Sequence, residues 1–249
     1  MCNFGSSRYI YCILVNLNAH LHNLTVIYED NHLIAVNKPA GVLVHGDITG
    51  DETLEQMVKA YIKVRYQKPG DVFLGVIHRL DRPVSGVVIF ARTSKALVRM
   101  NEALAQKRIC KKYLAIVSTR PEELEGTLIH YIIKDDQKNI VKAHQSSKKG
   151  GKQAVLEYRL VGELEAKCLL EVTPHTGRPH QIRAQLSKIG CPIMGDLKYG
   201  AVSALQDHSI GLHCVNMSFE HPVTHKPVSI SAETPNRFPW KVFSYDSGV

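Results

Sequence analysis

Two stretches of this chain crowd polar side chains into places where the sequence turns, and both hold groups able to do chemistry. The first is His78-Arg79-Leu80-Asp81-Arg82-Pro83-Val84-Ser85-Gly86. Asp81 stands between two arginines and ahead of a proline and a glycine, a composition that makes a tight turn and presents a carboxylate from rigid backbone. A neighbouring guanidinium favours the ionised carboxylate, which can then attack an electrophile or abstract a proton. The second is Thr176-Gly177-Arg178-Pro179-His180-Gln181-Ile182-Arg183, a polar loop at the start of a helical pattern. Backbone N–H groups and arginine side chains at such a place suit a phosphate. Arg183 borders the apolar face marked by Ile182, so its guanidinium is expected to be partly desolvated and to need a carboxylate. Residue types alone also fit plainer parts, a salt-bridged turn for Asp81 and a helix cap with a surface arginine for the second loop.

The elements that must hold these loops follow from periodicity. Residues 25–28 and 32–36 read as strands, closed by the turn Lys38-Pro39-Ala40-Gly41. Thr53 and Gln56 have capping-box spacing, ahead of a helix with Leu54, Met57, Val58, Tyr61 and Ile62 on its apolar face. Just after the first loop, residues 87–90 form an apolar run suited to a strand buried on both faces. A second helix is predicted from a Ser94 cap, burying Leu97, Met100 and Leu104. Residues 113–117, 127–133, 155–160, 169–172, 211–219 and 228–232 read as further strands, with a basic, solvated gap at 146–152. The third helix has Pro179 near its start and Gly190 just past its end, with Ile182, Leu186 and Ile189 along one face. Many strands with few helices, out of strict alternation, predict an α+β fold around a central, largely antiparallel or mixed sheet.

Composition narrows the class of protein. The chain has 249 residues, 44% hydrophobic and 22% charged, which excludes a disordered tail protein and allows one domain with a normal core. Lys and Arg (31) exceed Asp and Glu (23) by eight, a balance that favours an anionic partner. Six cysteines without C-x-x-C spacing imply reduced thiols and a cytoplasmic setting. The apolar stretch 9–17 is too short to cross a bilayer and lacks the flanks of an export signal. Residues 1–23 are read as an N-terminal extension of unknown role, and 24–249 as the functional domain. His221 and His225 are separated by Pro222 and followed by Pro227, which argues against a zinc pair, and residues 195–200 hold no dinucleotide-binding fingerprint.

Five segments in order carry a resemblance: VIYEDNHLIAVNKPAGVLVH (26–45), HRLDRPVSGVVIFA (78–91), KKYLAIV (111–117), TGRPHQIRAQL (176–186) and GCPIMGDLKYG (190–200). Together they resemble RNA pseudouridine synthases of the RluA family, over about residues 26–232. Val84 stands where that family carries a threonine, so one hydroxyl beside Asp81 is missing. The resemblance implies the pseudouridine synthase fold and isomerisation of uridine in ribosomal or transfer RNA, without cofactor or metal. It makes Asp81 the catalytic carboxylate, Arg183 its basic partner, and Tyr113 the tyrosine that stacks on the base and assists proton transfer. Arg79 would enter the RNA stack as the uridine leaves, and Leu186 would form an apolar wall of the pocket. His78, Arg82, Arg178, His180 and Gln181 are expected to contact the RNA, with Lys38, Arg92, Lys107, Arg108, Lys111 and Lys112 as further phosphate contacts. No S4 RNA-binding domain is evident, and a monomer is expected. A non-catalytic RNA-binding protein on the same fold is the alternative, against which the retained Asp81, Tyr113 and Arg183 argue. A metal-dependent nuclease would need clustered carboxylates, and the sequence shows none.

Overall fold

A computed structural model describes residues 24–46, 50–135, 140–147 and 149–243; the extension read at 1–23 and Lys148 of the basic gap lie outside them. The described strands are β1 (Thr25–Glu29), β2 (Leu33–Lys38), β3 (Gly75–Val76), β4 (Ser85–Ala91), β5 (Cys110–Val117), β6 (Glu125–Asp135), β7 (Ile140–His144), β8 (Lys152–Leu164), β9 (Lys167–Pro174), β10 (Leu212–Glu220) and β11 (Pro227–Ser231). Between them run α1 (Leu54–Arg65), α2 (Ser94–Ala105), α3 (Gln181–Lys188) and a 3-10 turn, Leu197–Tyr199. All the strands join one sheet in the order β1-β2-β4-β10-β5-β9-β8-β6-β7, with β3 on β4 and β11 on β10. Every pairing is antiparallel except β4 with β10, so the expected mixed α+β architecture is what the chain adopts. None of the described helices is long and apolar enough to cross a membrane.

The centre of the sheet is apolar on both sides. All seven residues of β4 are buried, as its continuous run of small and branched side chains requires of a strand covered on two faces. In β5 the pleat sorts side chains by parity: Tyr113, Ala115 and Val117 join the main core, while Leu114 and Ile116 face the other side and pack with Leu169, Val215 and Trp240. The Thr53–Gln56 capping box forms as read, and α1 buries Leu54, Met57, Val58 and Ile62 against the sheet. Each such side chain contributes about 1.5–3 kcal/mol when fully buried.

Two local readings are corrected and one is refined. The cap of α2 is Thr93, whose extended backbone lets its side chain accept from Ala96 N–H; Ser94 is already helical. Pro179 stands near the start of α3 as expected, and His180, the residue just before the helix, takes the left-handed conformation (φ +49°) with no side-chain cap bond. Finally, β7 and the first residues of β8 occupy a basic stretch with no strand pattern, where pairing with β6 supplies the structure. The end of α3 is as predicted: Gly190 (φ +78°) lets Gly190 N–H reach the Ser187 carbonyl and Cys191 N–H the Leu186 carbonyl, both at 3.0 Å. That doubly bonded stop turns the chain back beneath the helix toward Asp196.

Candidate active site

The loop before β4 and the N-terminus of α3, 102 residues apart in sequence, meet at Asp81 and Arg183. Asp81 opens a turn closed by Val84 N–H on its own carbonyl at 3.0 Å. Backbone closes this turn, so the threonine hydroxyl absent at Val84 is not needed for it, and the Val84 side chain is buried in the core instead. Gly86 then enters β4 with φ +117°; a Cβ there would lie 2.5 Å from Cys214 N and 2.8 Å from Cys214 C. Only glycine lets β4 and β10 approach closely enough to set the Asp81 loop beside β5.

Arg183 is 5% exposed and lies between two carboxylates. Its Nε and Nη2 donate to Asp196 at 2.7 and 2.8 Å, a bidentate fork, which leaves Nη1 to donate to Asp81 Oδ2 at 2.8 Å. The guanidinium also lies over the Tyr199 ring, 4.9 Å from its centre. Burial opposes the arginine charge, but the hydrogen bonds and charge of Asp196, with those of Asp81, outweigh it and raise the arginine pKa further. Two carboxylates against one cation leave a net negative charge. Asp196 is 1% exposed at its side chain and Asp81 30%, so the available carboxylate is that of Asp81. Asp81 Oδ1 accepts no hydrogen bond from the described residues, whereas Oδ2 is held by Arg183 with His180 Nε2 at 3.7 Å.

Tyr113 stands on β5 opposite Cys214 of β10 and Val172 of β9. It is 8% exposed, so little of the residue meets solvent. Burial, followed by the Cys214 thiol that shares a hydrogen bond with it and by the Asp81 charge, pushes the phenol well above its ordinary range; it is a neutral donor at pH 7. The same burial pushes the Cys214 thiol up to about 12.

Around this centre Arg79 and Arg82 are exposed and Arg178 is partly buried. Arg79 has no hydrogen bond or ion pair with any described residue, Arg82 reaches Gly41 O and Asp51, and Arg178 Nε donates to Gln153 O at 3.1 Å. Other residues expected to contact RNA are turned inward in this structure. His78 is 8% exposed, with Nε2 accepting from Ile89 N–H, and burial holds its pKa well below the ordinary histidine range. Gln181 is 4% exposed: its oxygen accepts from the Thr176 hydroxyl and from Arg178 N–H while its amide donates to Val155 O. It ties the loop to β8, and its bonds are spent within the fold except for the second amide N–H. Leu186 is fully buried in the core. Lys38 is fully buried, donating to the carbonyls of Pro39, Val42 and Arg82, with its pKa brought down to about 7 by burial. Arg92 is likewise spent on Glu29 and the Asp30 carbonyl.

Sequence reasoning missed Asp196, Tyr199 and Cys214. The signal for Asp196 was the arginine itself, since a guanidinium offers five N–H groups and one half-exposed aspartate cannot satisfy them. His221 and His225 diverge, His221 to Asp30 and His225 to Glu220, and no group of three or more metal-ligating side chains occurs among the described residues.

The RNA pseudouridylate synthase family matches residues 32–188. Ribosomal large subunit pseudouridine synthase D of Zymomonas mobilis is 32% identical over 225 residues, covering 85% of this chain and 69% of that protein. The tRNA pseudouridine synthase C of Vibrio parahaemolyticus is 31% identical over 242 residues, covering 87% of this chain and 96% of that protein. Among solved structures, Human RNA Pseudouridylate Synthase Domain Containing 4 superposes with a TM-score of 0.74 at 22% identity, covering 91% of this chain and 94% of that one. Human RNA Pseudouridylate Synthase Domain Containing 1 gives 0.68 at 25% identity, covering 86% and 85%. With the match spanning the Asp81 loop, β5 and Arg183 alike, the chain belongs to the RNA pseudouridylate synthase family.

Proposed function

We propose that this protein isomerises specific uridines of ribosomal or transfer RNA to pseudouridine, with Asp81 as the catalytic residue. The observation that carries this is the Arg183 guanidinium saturated on two sides by Asp196 and presenting its remaining arm to a half-exposed Asp81 with one free oxygen. In the isomerisation the N1–C1′ bond breaks and a C5–C1′ bond forms, while a proton leaves C5 and one is gained at N1. No outside oxidant, reductant or group donor enters the balance. Asp81 starts the sequence either as nucleophile or by taking the ribose 2′ proton.

Tyr113, a neutral phenol within reach of the Asp81 charge, meets the base and offers a proton. Drawing the uracil out of its stack costs about a few kcal/mol. Arg79, exposed and without a partner among the described residues, is suited to fill the gap, and the exposed Arg82, Lys107, Arg108 and Lys112, with the partly buried Arg178, are available to backbone phosphates. A cytoplasmic setting, where such RNA occurs, fits this reading. The test is to incubate the purified protein with ribosomal and transfer RNA transcripts tritiated at uridine C5. Release of tritium to water without added cofactor supports the reading, and no release from either RNA class refutes it.

A further inference from the structure

His180 lies against the catalytic carboxylate yet is held from behind, and the way it is held fixes where its proton sits. Its Nδ1 is 2.8 Å from the Tyr199 hydroxyl, and its Nε2 is 3.7 Å from Asp81 Oδ2. The Tyr199 oxygen already accepts Val141 N–H of β7 at 2.9 Å, so the phenol has its single proton left to donate. Given to His180 Nδ1, that proton forces the imidazole hydrogen onto Nε2, facing the carboxylate. The opposite tautomer would aim a lone pair at the carboxylate and strand the phenol proton. Burial, countered in part by Asp81 and reinforced by Arg183 and Lys198, lowers the His180 pKa, with Asp196 acting the other way; the ring is neutral at pH 7. The left-handed backbone at φ +49° is what turns the ring back under the loop, at a cost a free helix cap would not bear.

We propose that His180 is a positioning residue for Asp81, a neutral Nε2–H donor locked by Tyr199, which with Arg183 immobilises Oδ2 and so selects Oδ1 as the oxygen that reacts. This rests on Asp81 being the catalytic group. The 3.7 Å separation is longer than a hydrogen bond, and it closes when RNA covers the site and removes water from the carboxylate. The hydroxyl of Tyr199 thereby links the outermost strand of the sheet to the reacting carboxylate.

Two measurements test it. Nitrogen-15 shifts of the His180 ring in the free protein report the tautomer without any reaction: Nε2–H is expected in the wild type, with a shift toward Nδ1–H in Tyr199→Phe. A wild-type Nδ1–H ring, or one unmoved in Tyr199→Phe, overturns the proposal. Single-turnover rates at saturating protein are then compared for His180→Leu and His180→Gln. Both carry the same left-handed backbone penalty, but only glutamine offers an N–H at the Nε2 position. Loss of one hydrogen bond to a charged group predicts a rate about tenfold lower for leucine, with RNA affinity within about twofold, and glutamine recovering most of the loss. Equal rates for the two variants, or a change confined to RNA affinity, would assign His180 to structure or to RNA contact. A wild type with the expected tautomer that isomerises no RNA would refute the functional reading and leave the tautomer lock standing.

Discussion

The two carboxylates on Arg183 should separate stability from chemistry when each is replaced by alanine. Asp196 is 1% exposed at its side chain and makes two bonds of 2.7 and 2.8 Å. Removing one partner of a buried ion pair costs about 3–5 kcal/mol, because the other charge is left without compensation. Here Asp81 remains at 2.8 Å on the same guanidinium, which places Asp196→Ala near the lower bound, about 3 kcal/mol. For a domain of this size that corresponds to a melting temperature lower by about 6–12 °C. Asp81 is 30% exposed at its side chain and makes one bond to an arginine that Asp196 still neutralises, so Asp81→Ala should cost no more than about 1 kcal/mol. Urea denaturation followed by circular dichroism gives both values, and tritium release gives the activity of each variant at a temperature where it is folded. Asp81→Ala should be nearly as stable as the parent and inert, while Asp196→Ala should be unstable with measurable turnover. A larger stability loss for Asp81→Ala than for Asp196→Ala would refute the division of labour.

Gly86→Ala, whose Cβ would overlap the Cys214 backbone at a φ of +117°, should lose at least about 3 kcal/mol in the same urea experiment; a variant within 1 kcal/mol of the parent would show that β4 and β10 can part. Buried His213, hydrogen-bonded to Ser85 and to the Ala232 carbonyl, has its pKa lowered from 6.5 to about 4 by burial. The unfolded chain therefore binds a proton between pH 4 and 6.5 that the folded protein refuses, so stability rises with pH across that window, by up to about 3 kcal/mol. Urea midpoints measured at pH 4.5, 5.5 and 7 should climb, and a flat series would contradict the burial of a neutral ring.

Features governed by local chemistry were legible in the sequence. The Thr53–Gln56 box, the Gly190 stop and the apolar run of β4 each depend on a few neighbouring residues, and each stands where the residue types place it. The approach of Asp81 to Arg183 could be anticipated because a desolvated cation demands an anion. What escaped was decided by distant partners. β7 has little strand pattern of its own and exists through β6 on one side and the Tyr199 hydroxyl on Val141 on the other. His78, Gln181 and Lys38 look like surface polar groups in a sequence. Each is instead held by backbone groups, His78 at Nε2 by Ile89, Gln181 by Val155 and Arg178, Lys38 by three carbonyls, and none of those groups can be read from a side-chain pattern. Asp196 needed the return of the chain beneath α3 before it could be recognised as the second counter-charge.

The most direct test replaces a single oxygen of the reacting group. Purified Asp81→Asn protein should bind ribosomal or transfer RNA with an affinity within about twofold of the parent, since the phosphate contacts lie on other residues. It should release no tritium from C5-labelled uridine and leave no pseudouridine in the RNA. An Asp81→Asn protein that still forms pseudouridine at the parental rate would contradict the assignment of the chemistry to this carboxylate.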